Sequence, residues 1–498
     1  MLRARDEGEG SEAAAVVRLT PASWLLENAR VVTLDARRPL ARAIAIGGDR
    51  VLALGSGREL RRLAGAGTER VDCRGAVVLP GLIDPHLHLL ALAARHANLR
   101  CDEFRTVADV LVAVRARART LAPGAWVRGD GLDEARLDRL PTAAELDAAA
   151  GGRPVRLRHR SRHASVLSAA ALRLLRVDGG DGLVGGREEA LARLVGPLPP
   201  DVFRGGLASA GRELAALGVT TVADATPRTQ RGGAALAHAL TEGALRLRIF
   251  AMRRPGTRPW HPSGLLRPGP VKLLVDELPD GLRPSPATLA RRIAAAAARG
   301  DQVAVHCIGA ATLVAALAGF TSLPRGQRAG RRHRLEHVAE CPPPLVARLA
   351  ALGLVVVTNP AFVHWRGDVY RRETAGEARA WLYRAGSLTR AGVALAGASD
   401  APVVPPSPWV GIAAARVRRT LGGDTLGGAE RLDAATALAL FTTGAAFALR
   451  ADRLGRLVPG GPADLVVVDP DPLRAPPDEV AATEVRLTLV AGERAWPA

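Results

Sequence analysis

Short runs of apolar, β-branched residues alternate with longer Ala/Leu/Arg stretches over most of this chain. Val77–Ile83, Val219–Ala223, Leu247–Ala251, Val271–Val275, Val303–Cys307, Arg334–His337, Leu354–Thr358 and Ala394–Ala398 have the length and bounding turn signals of strands. From the second onward they start every 20–40 residues. That is the spacing of βα units, and eight such units predict an α/β fold closed as a (β/α)8 TIM-like barrel. The first interval is much longer, so an insertion is expected after strand one, at about 95–205.

Both ends of the chain have a different texture. Arg30–Leu34, Ala43–Ile46, Arg50–Leu54 and Ala76–Leu79 are short candidate strands, with a hairpin signal at Gly47-Gly48-Asp49. Ala463–Val468 and Val485–Val490 repeat the pattern at the other end. Segments 26–79 and 448–498 are therefore expected to form one small β-sandwich domain, with the barrel over 80–447. Residues 1–25 open on Arg3, Arg5 and a Glu/Gly-rich stretch without the order of a signal peptide, and are expected to be a disordered extension. No apolar run approaches the roughly 18 residues that a membrane span requires, so a cytoplasmic protein without a membrane partner is expected.

Composition narrows the function. The 498 residues carry a net charge of +19, which raises nucleic acid as a partner. The arginines are dispersed, however, and aromatics are only 3%, too few for base-stacking platforms. A solvated Arg-rich surface and a small-molecule substrate are the expectation, and a homodimer is compatible with it. The four cysteines, Cys73, Cys101, Cys307 and Cys341, show no C-x-x-C spacing and read as reduced thiols. One feature of the basic residues stands out: of 68, only Lys272 is lysine. A residue that escapes replacement by arginine everywhere else is expected to do something arginine cannot.

Polar residues gather at the ends of the candidate strands. Leu79-Pro80-Gly81-Leu82-Ile83-Asp84-Pro85-His86-Leu87-His88 ends strand one, and alternation points His86 and His88 to the same side. Two imidazoles so placed can chelate one transition metal, although satisfied core histidines are the plainer alternative. Lys272 lies in strand four, His306 and His337 end strands five and six, and Asp400 follows strand eight. A barrel aims all of these at its C-terminal mouth. Cys307, beside His306, alternates to the opposite face and reads as core.

His-x-His on strand one, Lys on four, His on five and six, and Asp on eight resembles the amidohydrolase superfamily. The finer motifs are similar to its family 3 branch, which includes N-substituted formamide deformylases. They are Gly129-Asp130-Gly131-Leu132-Asp133-Glu134, Leu140-Pro141-Thr142 with Leu146-Asp147, His163 before Ala169-Ala170-Ala171-Leu172, His306-Cys307-Ile308-Gly309, Arg332-His333-Arg334-Leu335-Glu336-His337, Ser399-Asp400-Ala401-Pro402 and Pro462-Ala463-Asp464-Leu465-Val466-Val467. The resemblance covers about 27–496. The chain departs from the branch pattern at Ser161-Arg162, at Asp276-Glu277 and at Gly309-Ala310, which bears on the substrate more than on the metal positions.

The resemblance implies a hydrolase of amide or related C–N bonds, of the N-acyl or N-formyl amine type, acting through metal-activated hydroxide. It implies one or two zinc ions, with Mn2+ or Fe2+ as alternatives, held by His86, His88, Lys272, His306, His337 and Asp400. Lys272 would be carbamylated by carbon dioxide, and Asp400 would serve as base and then acid. His163 is a further candidate for carbonyl contact, or else a surface histidine in the basic run 156–162. Arg162 in that run, and Trp365 and Tyr370 after strand seven, are candidates for substrate binding, with solvated arginine and plain packing as the alternatives. Ester hydrolysis, deamination or decarboxylation on the same barrel remains open, as does a non-enzymatic basic binding protein.

Overall fold

Eight parallel strands follow one another around a barrel in the computed structural model, which describes residues 21–497 apart from 135, 136, 161–163, 179, 229 and 244. In order they are Leu82–Leu87, Val219–Arg228, Arg248–Arg253, Leu266–Leu273, Val303–Cys307, Arg334–His337, Val355–Thr358 and Ala394–Gly397, strands one to eight below. The ring is completed between strand one and the exit of strand eight. Asp400 N donates to His86 O (2.9 Å) and His88 N to Ala401 O (2.7 Å).

Period-two alternation decides what each strand presents to which side. Val271 and Leu273, Val303, Val305 and Cys307, Leu335 and Val356 join a cluster facing the helices Pro286–Ala298, Ala310–Thr321 and Pro343–Leu352. The residues between them, Lys272, Ala304, His306 and Glu336, are sent to the interior. Below them the barrel is filled by small side chains, among them Ile83, Ala223, Ala225, Ala304, Val355, Val357, Ala396 and Ala398, so it is a packed core and not a pore.

The run 77–83 is corrected by the structure: it is two strands, not one. Val77–Pro80 belongs to a terminal sheet and Leu82–Leu87 to the barrel, with Gly81 between them. A Cβ on Gly81 would lie 2.3 Å from the Thr220 side chain, so only glycine lets the chain cross from one sheet to the other. The expected long interval holds a five-stranded sheet, ordered Leu183–Gly185, Ala164–Leu167, Val155–His159, Val127–Leu132, Leu99–Arg100. Two barrel helices bracket it, Leu89–Ala97 and Pro200–Ala216. A Cβ on Gly206 would meet Ala93 O at 2.3 Å, so that glycine permits their close approach.

Both termini contribute to two further sheets. One runs Arg50–Gly55, Ala43–Gly47, Ala22–Glu27, Ala64–Asp72; the other runs Glu493–Trp496, Glu484–Val490, Leu465–Asp469, Val77–Pro80, Arg30–Val32, Leu40–Ala41. The first strand thus begins at Ala22, inside the segment expected to be a disordered extension. Residues 1–20 lie outside those described. Trp24, Leu26, Ile44 and Ile46 from one sheet and Val78, Leu465, Val467 and Leu489 from the other share a buried cluster. Leu465–Asp469 pairs antiparallel with Val77–Pro80. A chain ended at Arg450 is therefore expected to expose this cluster and aggregate, because the uncovered strand is both apolar and unpaired. Gel filtration checks this: a monodisperse, active truncated chain would mean that the two ends do not depend on each other.

Candidate metal centre

Local backbone geometry brings the side chains together. The buried Asp84 carboxylate accepts hydrogen bonds from His86 N (3.1 Å) and Ser399 N (3.2 Å), tying the end of strand one to the exit of strand eight. Burial pushes this carboxyl up to about 7. His337 would face the helices by alternation, since Glu336 before it faces inward. Its left-handed backbone (φ 69°) turns the ring back into the barrel mouth, and Asp400 is left-handed as well (φ 58°). Such conformations in non-glycine residues persist where surrounding structure holds them, often at functional sites.

Three of the four rings are oriented by a partner on one nitrogen. His86 Nδ1 meets the Glu336 carboxylate, which is held by Arg334 through Nε (2.8 Å) and Nη2 (2.7 Å). Arg334 Nη2 also donates to Pro85 O (2.9 Å). His337 Nδ1 donates to Asn359 Oδ1 (2.7 Å), and Asn359 Nδ2 donates to Ala398 O (3.1 Å). His88 Nδ1 donates to Thr226 Oγ1 (2.9 Å). With Nδ1 carrying the proton, each neutral ring presents the lone pair of Nε2 to the centre.

Those lone pairs converge. His86 Nε2 and His88 Nε2 lie 3.5 and 3.3 Å from Asp400 Oδ1. His337 Nε2 lies 3.1 Å from His306 Nδ1, and Lys272 Nζ lies 3.4 Å from His86 Nε2. The donor atoms of His86, His88 and Asp400 are all within 4.8 Å of one another. Burial is the main reason that the His86 imidazole falls to about 3, helped by the Lys272 charge, and that His306 and His337 also fall. Lys272, only 2% exposed, is lowered to about 8 by the same cause, against the opposing pull of Glu336 and Asp400.

This donor set fits a divalent transition metal. Asp400 Oδ1 is buried and makes no well-formed hydrogen bond, although imidazole nitrogens surround it. Neutral imidazole nitrogens beside a carboxylate oxygen, with no proton between them, are the ligands that zinc, manganese or iron takes.

All six residues expected at the centre are thus brought to one place. Tyr370 and Trp365 lie on the helix Pro360–Glu373 after strand seven. Trp365 packs in a cluster with Phe362, Leu382 and Tyr383, and the Asp400 charge reaches Tyr370. Arg162 and His163 lie outside the described residues. Cys307 is buried in the helix-facing cluster, as alternation requires. Glu277, a departure from the branch pattern, accepts from Thr312 N (2.9 Å) and so ties its hairpin to the helix Ala310–Thr321. Sequence reasoning missed Thr226, Asn359, Tyr383 and the orienting roles of Asp84 and Glu336. For Glu336 a signal existed: it precedes His337 and faces inward by alternation.

A sequence profile described as the amidohydrolase family matches residues 69–495. The N-substituted formamide deformylase of Arthrobacter pascens is 28% identical over 94% of this chain and 97% of its own length. Among solved structures, an uncharacterized metal-dependent hydrolase from Pyrococcus furiosus superposes with a TM-score of 0.74 at 26% identity, covering 91% of this chain and 100% of its own. A second one, from Pyrococcus horikoshii OT3, gives 0.77 at 24% identity, covering 91% and 99%, and supports the fold alone.

Proposed function

The chain belongs to the amidohydrolase family, and we propose that it is a metal-dependent hydrolase that opens an amide or related C–N bond of an N-acyl or N-formyl amine. The observation that carries this reading is the convergence of His86, His88, His306, His337, Lys272 and Asp400 at the barrel mouth, with the rings of His86, His88 and His337 pre-oriented. The Arthrobacter relative's activity supports the choice of bond.

In this reading His86 and His88 hold one metal and His306 and His337 a second. Zinc suits the donors best, with manganese or iron as alternatives. When bound, such ions acidify water and polarise a carbonyl oxygen. Asp400, with its carboxylate oxygen beside the His86 and His88 rings, takes the proton from the attacking water. It then delivers that proton to the departing nitrogen as the C–N bond breaks, acting first as base and then as acid. Glu336, Thr226 and Asn359 keep the rings from rotating, so the geometry is set before substrate arrives.

Lys272 is placed to become a carbamate. Its lowered basicity makes the neutral amine available. The amine nitrogen bonds to the carbon of carbon dioxide and loses a proton, and the resulting carboxylate supplies an anion next to His86. A guanidinium cannot do this. The four cysteines are unpaired and buried, which suits a reducing compartment, and the reading places the enzyme in the cytoplasm. Among the described residues no helix is long and apolar enough to cross a membrane.

Metal analysis with a substrate screen tests the proposal. The purified protein is expected to hold roughly one to two transition-metal ions per chain. Stripping them with dipicolinate should abolish turnover of N-alkylformamides and N-acyl amines, and zinc or manganese should restore it. Full activity in metal-free protein, or turnover of esters with none of amides, would overturn it.

A further inference from the structure

Tyrosine is almost as rare here as lysine. There are two in 498 residues, Tyr370 and Tyr383, and their hydroxyl oxygens lie 3.3 Å apart. They come from different elements. Tyr370 is on the helix Pro360–Glu373, and Tyr383 precedes the helix Ala385–Arg390. Tyr383 is 3% exposed, while Tyr370 is half-buried.

The backbone at Tyr383 is fixed with unusual care. Its N–H donates to Ala339 O (2.9 Å), two residues beyond His337, and its carbonyl accepts from the buried Arg418 Nη1 (2.8 Å). Its φ is 47°, left-handed and costly for an aromatic residue, as at His337 and Asp400. The ring packs edge-on against Phe362, with centroids 6.0 Å apart. A phenylalanine would fill that space equally well. A buried hydroxyl is unfavourable without a partner, and the partner that Tyr383 has is the other tyrosine.

Two hydroxyls that face each other share one hydrogen bond, which leaves one proton over. Either hydroxyl can give the shared proton; Tyr383 is the more enclosed of the two, and Tyr370 lies on the more open side. Burial is the main reason that both phenols lie above their ordinary value, with the Asp400 charge acting in the same sense, so they stay protonated at working pH. Arg366, one helical turn before Tyr370, acts on both in the opposite sense.

We propose that the two tyrosines work as one unit: Tyr383 donates to Tyr370, and Tyr370 donates its remaining proton to the oxygen of the scissile carbonyl beside Asp400. Tyr370 touches substrate. Tyr383 is a positioning residue that acts through it, both by fixing the direction of the spare proton and by making that proton a stronger donor. This rests on the amide-hydrolase reading and adds a protein group that holds the carbonyl oxygen as charge develops on it.

Tyr370→Phe, Tyr383→Phe and the double variant test it in the metal-loaded enzyme with N-butylformamide, or whichever amide the screen finds. Each change removes one oxygen and keeps the ring, so the proteins should fold. Tyr370→Phe should lower kcat/KM by about 10–100-fold, mostly in kcat, as expected for a donor that strengthens in the transition state. Tyr383→Phe should cost about 3–10-fold, and the double variant no more than Tyr370→Phe alone, because the pair acts through one contact. Single variants within twofold of the parent, or losses that multiply in the double variant, would overturn the pairing. A second readout is independent of turnover. With only two tyrosines, protein labelled with 3-fluorotyrosine gives two fluorine resonances, which the single variants assign. Acetohydroxamate should move the Tyr370 signal, and move it less in Tyr383→Phe. If the enzyme cleaves no amide, the proposed reaction fails while this assignment can still stand. An unmoved Tyr370 signal, with acetohydroxamate bound by calorimetry, overturns it.

Discussion

Asp400→Asn is expected to lower kcat by about 10²–10⁴, the usual worth of a positioned acid–base group. The variant should otherwise resemble the parent. Asparagine has nearly the same shape and is among the residues that tolerate the left-handed backbone found at this position, φ 58°. The bond from its N–H to His86 O, which helps close the barrel, does not involve the side chain. An amide oxygen can still face the centre, so most of the metal should remain. What the amide cannot do is accept a proton from water and return it to the leaving nitrogen. Steady-state kinetics, metal content and a melting curve together check this. Near-normal turnover in the variant would place the proton shuttle elsewhere, with His163 the next residue to test.

Lys272→Arg and Lys272→Ala are both expected to lose activity by at least about 10²–10³, but in different ways. The lysine is 2% exposed, between Val271 and Leu273, with Nζ 3.4 Å from His86 Nε2. Arginine is longer and stays charged, so it brings a fixed cation to a place built for cations and cannot take up carbon dioxide. Alanine leaves a gap without a charge. Acetate or propionate can enter that gap and replace the missing carboxylate, so Lys272→Ala should regain activity with either, and Lys272→Arg should not. Protein equilibrated with 13C-bicarbonate should show a carbamate carbon signal that both variants lack, and a crystal should show three extra atoms on Lys272. A fully active Lys272→Arg enzyme would refute the carbamate.

Much of this was legible locally. Strand alternation is a property of consecutive residues, so the apolar neighbours of Lys272 and His306 already decide that these two face inward. The count and order of the barrel strands follow from runs of apolar residues at βα spacing. The lone lysine is visible in composition before any fold is considered. Residues with no distinctive neighbours were not legible. Tyr383 lies in an irregular segment, and its significance comes from Tyr370 on another element and from clamps at Ala339 and Arg418.

The amino-acid sequence by itself determined which strands form, which of their side chains point inward, and that six potential ligands stand at strand ends. These depend on period-two geometry and turn chemistry, which act over a few residues. Tertiary structure alone decided where strand one begins, because the need for glycine at position 81 comes from Thr220, far along the chain. It also decided which nitrogen of each ring faces the centre. His86 is set by Glu336, His88 by Thr226 and His337 by Asn359, each on another strand or at its end. Ring orientation and the left-handed turns at His337 and Asp400 are fixed by hydrogen bonds between segments that meet only when the barrel closes. No local propensity encodes them.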